Sequence, residues 1–232
     1  MPRPSETFYV RVRGPFACFT RPEFKVERVS YEVMTPSAAR GILEAIHWKP
    51  AIRWVITEIH VLAPIRFVTF KRNEVSKRVS VRNVLQAMKG EPLEPYFADE
   101  DRAQRNTVAL RDVDYIVAAH FVPVEEKWHD SDNFAKHVRM FAERLIKGQT
   151  FHHPYLGCRE FAAAVEPAQP PWECHLPPEQ REKQLGLMLH DMEFGERTRP
   201  RFFMAELVGG VLRVPPFKNA MRARVIEMEG DA

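Results

Sequence analysis

One stretch, Thr35 to Pro50 (TPSAARGILEAIHWKP), constrains the fold more than any other part of the sequence. Thr35 is a suitable N-cap, and Pro36 fits the first helical position, where a missing backbone N–H costs nothing. Pro50 ends the pattern, because the residue before a proline is biased away from helical angles. Between these signals, apolar residues recur at helical spacing: Ala39, Ile42, Leu43 and Ile46. The sequence therefore predicts an amphipathic helix over residues 35–48.

The polar face of this helix carries Arg40, Glu44 and His47, which are four and three residues apart. Residues at these spacings lie above one another on one side of a helix. The pattern thus puts an imidazole at the C-terminal end of the helix, beside Trp48 and Lys49. Glu44 and the helix terminus should both favour the charged form of His47. An imidazole that changes charge near neutral pH can transfer protons, so His47 is a candidate catalytic residue.

Composition limits the class of protein. A chain of 232 residues can bury a large core, as one domain or as two small ones. Its three cysteines, Cys18, Cys158 and Cys174, have no paired spacing, which favours a reducing compartment. The first residues lack a signal-peptide pattern and no apolar run has the length of a membrane span, so we expect a cytoplasmic protein without membrane contact. No GxGxxG, Walker A or HExxH motif occurs, and we expect neither a cofactor nor a metal.

Positive charge is concentrated in one segment, although the formal net charge is only +3. Residues 70–90 contain one acidic residue, Glu74, against six basic ones: Lys71, Arg72, Lys77, Arg78, Arg82 and Lys89. Such a segment is usually a solvated surface, but clustered cations can also replace counterions along a phosphate backbone. The predicted loop 15–34 interleaves aromatic residues with Arg21, Lys25 and Arg28. Its aromatic rings can stack unpaired bases, or they can pack beneath the loop.

The remaining patterns predict alternating strands and helices. Strand patterns cover residues 7–14, 52–62 with an extension towards 70, 113–122 and 161–165. A second amphipathic helix is predicted from Ser131 to Lys147, with Ser131 or Asp132 as its cap and Gly148 at its end. The polar region 71–111 shows only a helical turn at residues 84–88, and we predict no further structure there. The resulting order is that of a ferredoxin-like βαββαβ unit.

A proline-rich run over residues 167–178 (PAQPPWECHLPP) predicts a boundary. Three short strand patterns follow, at 185–194, 201–207 and 211–214, and the last two are joined by a hairpin at Gly209-Gly210. Residues 221–228 could add another strand. The predicted fold class is α+β: a ferredoxin-like (RRM-like) domain over residues 1–166 and a small antiparallel β-sheet domain over residues 167–232.

Short motifs along the chain resemble those of a known family. In order, they are Gly14-Pro15-Phe16-Ala17, Phe19-Thr20, Ser30-Tyr31, Thr35, Gly41-Ile42, Trp48-Lys49-Pro50, Tyr155-Leu156-Gly157, Arg159-Glu160, Leu185-Gly186 and His190. As an ordered set they resemble the Cas-five family of CRISPR-associated proteins, in particular its subtype I-C members of the RAMP superfamily. The resemblance extends over most of the chain and is weakest across residues 71–111.

This resemblance implies a fold, an activity and partners. Members of the family have a ferredoxin-like domain followed by a small antiparallel β-sheet domain. Subtype I-C members cut CRISPR repeat RNA without a metal and then stay bound to the 5′ handle of the crRNA. The implied partners are repeat RNA, crRNA and other subunits of the surveillance complex. Duplex DNA is a further partner to test, because cations that contact phosphates do not distinguish the sugars.

The resemblance also implies an active site. The family uses a tyrosine at the end of the first helix and a lysine–histidine pair on a later strand. Carried over, the tyrosine position is His47, the lysine position is Ala119 and the histidine position is His120. Metal-free RNA cleavage needs a base and an acid, and two histidines can divide these roles. We therefore predict His47 and His120 as catalytic, with His47 as the acid and Lys49 as a candidate for steadying the charge on phosphorus.

Two classes of function stay open at this stage. The first is an endoribonuclease that cleaves beside a repeat hairpin, and the second is a non-catalytic subunit that binds the RNA handle. His47 and Ala119, which differ from the family pattern, keep the second class open. In either case the predicted RNA contacts are Lys25, Arg28, Lys49, Lys71, Arg72, Lys77, Arg78, Arg82 and Arg159.

Overall fold

The computed structural model describes residues 4–24, 26–76, 80–92, 97, 99–195 and 197–222. Its strands are β1 (Phe8–Ala17), β2 (Arg28–Val29), β3 (Ile52–Val61), β4 (Phe67–Val75), β5 (Arg102–Pro123), β6 (Ala164–Pro167), β7 (Lys183–Glu193), β8 (Arg199–Val208), β9 (Val211–Arg213) and β10 (Met221–Arg222). Its α-helices are α1 (Pro36–Ile46), α2 (Val81–Ala87), α3 (Phe134–Lys147) and α4 (Pro178–Arg181). One short 3₁₀ helix follows β5 at Glu125–Lys127, and a second precedes β10 at Phe217–Asn219.

The first helix begins as its sequence predicts. The Thr35 hydroxyl accepts a hydrogen bond from the backbone N–H of Ala38 at 3.3 Å, and Pro36 opens the first turn. The last helical residue is Ile46, and His47 is the extended C-cap, whose N–H still donates to Leu43 O at 2.9 Å. The helix buries its apolar stripe against the sheet, which holds its C-terminal end in place.

The strands form one hydrogen-bonded sheet. Along its main path the order is β10-β8-β9-β3-β5-β1-β6, while β2 and β4 also pair with β5, and β7 pairs with β8. The central run β3-β5-β1-β6 is antiparallel throughout. Because α1 follows β1 and α3 follows β5, both helices connect strands of this central run.

Residues 71–111 contain more structure than the sequence analysis predicts. Strand β4 continues to Val75 and pairs with β5 from Phe67↔Leu110 to Val75↔Arg102. Every second residue of β4 is partly buried, and on this inner face Phe70 packs 4.9 Å from Phe16, measured between ring centroids. Hydrophobic patterning does not detect the strand, because the same inner face also carries the charged residues Arg72 and Glu74.

Helix α3, the second amphipathic helix predicted from the sequence, differs from the prediction in its first turn. Asn133, rather than Ser131 or Asp132, is the N-cap, and its side chain accepts from the Lys136 N–H at 2.8 Å. The prediction of the cap is therefore wrong by one or two residues. The end is as predicted: Gly148 adopts a left-handed conformation with φ 64°, which suits glycine at a helix C-terminus.

Helices α1 and α3 cover one face of the central sheet, and an aromatic core lies between them and the sheet. The Trp54 ring lies 5.4 Å from Phe121 and 4.7 Å from Phe141, measured between centroids, so β3, β5 and α3 meet at this point. Phe8 of β1 packs on the same group at 4.9 Å from Phe141. This core fixes how α3 sits against the C-terminal end of α1.

The C-terminal strands follow their predicted positions. β7 and β8 form an antiparallel pair, and Gly209 and Gly210, with φ of 62° and 77°, make the turn into β9. β9 also pairs with β3, at Glu58↔Arg213, which joins these strands to the central run. The division of the chain at residue 166 stays a prediction. Of the strand expected at 221–228, β10 covers the first two residues, and the rest lies outside the described residues.

The strand expected at 161–165 starts later, since β6 runs from Ala164 to Pro167 beside β1. Within the described residues, no helix combines the length and the apolar character needed to cross a membrane.

Candidate functional site

His47 lies inside the protein, at the junction of α1 and α3. Its side chain is 1% exposed. Its Nε2 is 3.1 Å from Nδ1 of His137, and its Nδ1 is 3.2 Å from Nη1 of Arg144. The Trp54 indole donates a hydrogen bond to the His47 carbonyl at 2.8 Å. The imidazole is therefore held on the helix-covered side of the sheet by residues about 90 positions further along the chain.

These contacts form a chain of hydrogen bonds with a single direction. A guanidinium can only donate, so Arg144 donates to Nδ1 of His47. Neutral His47 must then carry its proton on Nε2 and donate it to Nδ1 of His137. His137 in turn donates from Nε2 to the Asp132 carboxylate, 3.2 Å away. We call this set of four residues the relay: Arg144, His47, His137 and Asp132.

The relay reverses the expected electrostatics of His47. Burial, together with the positive charges of Arg144 and Lys49 and the neighbouring His137, lowers the pKa of His47 to about 4. Glu44 does not counteract this, because it pairs with Arg40 at 2.6 Å. The expectation that Glu44 and the helix end favour the charged form is therefore wrong: His47 is neutral at pH 7.

His120 lies on the other side of the sheet. The neighbouring Phe121 ring packs 6.1 Å from the His137 ring on the helix-covered face. Because side chains alternate along a strand, His120 points away from that face, whereas Ala119 belongs to the helix-covered core. Burial lowers the pKa of the partly exposed His120, and the described residues offer its ring no hydrogen-bond partner. The structure thus does not bring the two predicted catalytic histidines together.

Lys49 lines a cleft next to the relay. The cleft has a volume of about 560 Å³ and lies between the end of α1, the start of β3 and the start of α3. Its charged and titratable lining residues are Lys49, Glu126, Lys127, His129, Asp132, Lys136 and His137. The lining contains three lysines and two carboxylates, and Lys136 pairs with Asp132 at 3.5 Å, so the cleft has a small excess of positive charge.

A second polar cluster contains two of the predicted RNA contacts. Arg28 pairs with Glu74 at 3.3 Å and with Glu160 at 3.1 Å. Arg72 also pairs with Glu74, at 3.1 Å, and with Glu160. Burial raises the pKa of Glu160, but the hydrogen bond from Arg72 contributes to a net lowering of that pKa. These two arginines therefore already have carboxylate partners, and a phosphate would have to compete with them.

The other predicted RNA contacts are exposed or lie outside the described residues. Lys71 on β4, Arg82 on α2, and Arg159 in the loop before β6 all have exposed side chains. Lys49 is exposed as well. Lys25, Lys77 and Arg78 lie outside the described residues. Lys71 and Arg82 stand on β4 and α2, and neither of them lines the cleft.

Sequence reasoning missed His137, Arg144 and Asp132. The signal was present in α3, where His137 and Arg144 are seven residues apart and flank Phe141 within the predicted apolar stripe. Polar residues inside such a stripe must have buried partners. What the sequence could not supply was the identity of those partners, since they depend on how α1 and α3 meet.

Comparisons with known proteins place the chain in a family. Residues 7–215 match the family model of the CRISPR-associated protein Cas5, in its Cas5d form, the Cas-five family named above. A protein from Mannheimia succiniciproducens named CRISPR pre-crRNA endoribonuclease Cas5d is 47% identical over 213 residues, which cover 90% of this chain and 94% of that protein. A protein of the same name from Thermus thermophilus is 40% identical over 228 residues, covering 90% and 91%.

The fold agrees with this grouping. A crystal structure of a CRISPR-associated protein superposes with a TM-score of 0.67, covering 95% of this chain and 97% of the other, at 24% identity. That likeness supports the fold alone, while the family model and the two relatives carry the assignment. The chain therefore belongs to the Cas5 family of CRISPR-associated proteins, and within it to the subtype I-C group.

Proposed function

We propose that this chain is an endoribonuclease that cleaves CRISPR repeat RNA beside its hairpin and retains the 5′ handle of the crRNA. The observation that carries the proposal is the 47% identity, over nine-tenths of the chain, to a protein named pre-crRNA endoribonuclease. We further propose that the protein is cytoplasmic and that its partners are crRNA and the other subunits of a surveillance complex. Duplex DNA can bind the same basic residues that we predict to contact RNA.

The fold proposal is finer than the α+β class. We propose that the central strands and the helices α1 and α3 form a ferredoxin-like unit. Its support is the strand order β3-β5-β1-β6, with all neighbours antiparallel and with the helices in the two crossover connections. This is the arrangement expected for a βαββαβ chain.

The proposed chemistry is metal-independent attack by the 2′-hydroxyl of the RNA. A base takes the hydroxyl proton, an acid protonates the leaving 5′-oxygen, and the products are a 2′,3′-cyclic phosphate and a 5′-hydroxyl. His120 suits the base, because its ring is partly exposed and burial keeps its pKa below the usual value, so that it is neutral at pH 7. His47 is buried within the relay, and we assign it a positioning role through His137 rather than contact with RNA.

The second candidate function is a non-catalytic subunit that binds the RNA handle. The observation in its favour is that His47 stands at the family's tyrosine position, is buried and has a pKa of about 4. The family's lysine position is Ala119, which cannot transfer a proton. Of the family's three catalytic positions, only the one at His120 therefore carries a titratable side chain that is partly exposed.

Incubation of the purified protein with repeat RNA in EDTA separates the two functions. Specific cleavage with a cyclic-phosphate product supports the enzyme, and tight binding of intact RNA supports the handle-binding subunit. His120→Ala should slow cleavage by roughly 10²–10⁴-fold with affinity retained, since a positioned proton-transfer group is worth about that much. His153→Ala, which alters an exposed histidine, is the matched control. Normal cleavage by His120→Ala would show that the base is another residue.

A further inference from the structure

Two cysteines that are 140 positions apart in the sequence meet beside the Arg28 cluster. Cys18 directly follows β1, and its N–H donates to Leu156 O at 3.0 Å. Gly157 presses against the same backbone: a Cβ there would lie 2.1 Å from Cys18 O, and its φ of 84° also favours glycine. This close approach places Cys158 directly over Cys18.

The sulfur atoms have polar surroundings. The Cys158 sulfur is 3.6 Å from the Cys18 carbonyl oxygen and 3.9 Å from Nη1 of Arg28. The Cys18 sulfur is 3.6 Å from the Thr20 hydroxyl. Cys18 is fully buried, whereas Cys158 is partly exposed. All three cysteines are free thiols.

The two sulfurs differ in their preferred charge. As a thiol, Cys158 can donate to the Cys18 carbonyl; as a thiolate, it accepts from the Cys18 thiol and faces Arg28. The hydrogen bond from Cys18, and to a smaller extent Arg28, lower the pKa of Cys158 below its ordinary value, although burial and the charge of Glu160 act in the opposite direction. The same hydrogen bond, together with burial, raises the pKa of Cys18. Cys158 is therefore the nucleophile of the pair, because the thiolate is the reactive form.

We propose that Cys18 and Cys158 form a redox-active dithiol, which hydrogen peroxide or an organic peroxide oxidises to a disulfide. The accessible Cys158 thiolate attacks one peroxide oxygen, the O–O bond breaks, and an S–O bond forms as the second oxygen leaves as hydroxide or alkoxide. The Cys18 sulfur then attacks the resulting sulfenic acid, an S–S bond forms, and the Cys18 proton leaves with the hydroxyl as water. With hydrogen peroxide, two thiols lose two electrons, and the peroxide is reduced to two waters.

The geometry favours closure within one molecule. A disulfide needs its sulfurs about 2.05 Å apart, and the Cys158 sulfur already lies against the Cys18 residue, 3.6 Å from its carbonyl oxygen. The resolving thiol thus belongs to the residue that the attacked sulfur contacts. A sulfenic acid formed at Cys158 should therefore be captured by Cys18 faster than it is oxidised further.

Cys174 provides a comparison within the same chain. It is a partly exposed free thiol whose sulfur is 3.6 Å from Val61 O, and no arginine or second cysteine among the described residues is recorded against it. The proposal requires Cys158 to react with peroxide before Cys174 does.

The test treats the full-length native protein with a small molar excess of hydrogen peroxide, blocks the remaining thiols and maps peptides by mass spectrometry with and without reductant. The expected result is a peptide pair linked through Cys18 and Cys158, with Cys174 still alkylated. Cys174→Ser should behave like the unaltered protein. Cys18→Ser should stop at a sulfenic acid on residue 158 that dimedone traps.

Either of two results overturns the proposal. One is oxidation of Cys174 at the same rate as Cys158, and the other is conversion of Cys158 to sulfinic or sulfonic acid while Cys18 stays reduced. Both are read from the unaltered protein, so poor folding of a variant cannot obscure them. Neither depends on RNA cleavage.

Discussion

His47 carries a buried imidazole whose protonation is linked to folding. Its pKa is lowered from 6.5 to about 4, so the unfolded chain binds more protons than the folded chain between these values. Its contribution to stability is complete above pH 6.5 and is lost as the pH falls from 6.5 to 4. The total effect is at most about 3 kcal/mol.

This linkage gives a prediction for His47→Gln. Urea unfolding of the unaltered protein should show a free energy of unfolding that falls between pH 6.5 and pH 4, and the variant should show a shallower fall. The exposed His153→Gln is the matched control and should retain the slope of the unaltered protein. An equally steep slope in His47→Gln would mean that other groups dominate the acid response.

At the scale of the element, α3 tests how a helix start is chosen among three possible caps. Ser131, Asp132 and Asn133 are consecutive, and all three residue types are good N-caps. The structure uses Asn133, while Asp132 accepts hydrogen bonds from the His129 N–H and from His137. The contact with His137, five residues further along the chain, thus occupies the carboxylate that could otherwise have served as the cap.

Asn133→Ala should lower the free energy of unfolding by about 1 kcal/mol, because the Lys136 N–H loses its acceptor. Ser131→Ala should change it by less than about 0.5 kcal/mol, the usual range for a surface position. Chemical denaturation at pH 7 measures both. A larger loss in the Ser131 variant would restore the cap predicted from sequence.

At the scale of the whole molecule, the predicted RNA-contacting cations differ in exposure and in pairing. Lys71 and Arg82 are exposed, and no ion pair of either with another described residue is recorded, whereas Arg28 and Arg72 are held by Glu74 and Glu160. Counterions are released only by cations that reach phosphates. We therefore expect the exposed pair to contribute more to sequence-independent RNA binding than the paired arginines.

Replacing both Lys71 and Arg82 with alanine should weaken the binding of unrelated RNAs about equally. The slope of the logarithm of affinity against that of salt concentration should shrink by roughly 0.7–0.9 for each lost contact. Lys147→Ala, which changes an exposed lysine at the end of α3, is the control. An unchanged slope in the double variant would return this segment to an ordinary solvated surface.

The sequence by itself determined the elements whose signals are local. Thr35 and Pro36 define the start of α1, Gly148 ends α3, and Gly209-Gly210 turn β8 into β9. These positions follow from the backbone angles and hydrogen-bonding groups of single residues, which act the same way in any fold. The ordered family motifs were equally readable, because they need no knowledge of contacts.

Only the tertiary structure decided the chemistry of the candidate site. The pairing of β4 with β5 is hidden in the sequence, because the partly buried face of β4 carries Arg72 and Glu74 beside its apolar residues. The charge of His47 depends on Arg144 and His137, which the packing of α3 brings to within 3.2 Å. Likewise, Cys158 meets Cys18 only because Gly157 lets two distant segments touch. A pKa depends on burial and on neighbouring charge, and both are properties of the folded chain rather than of the sequence around the residue.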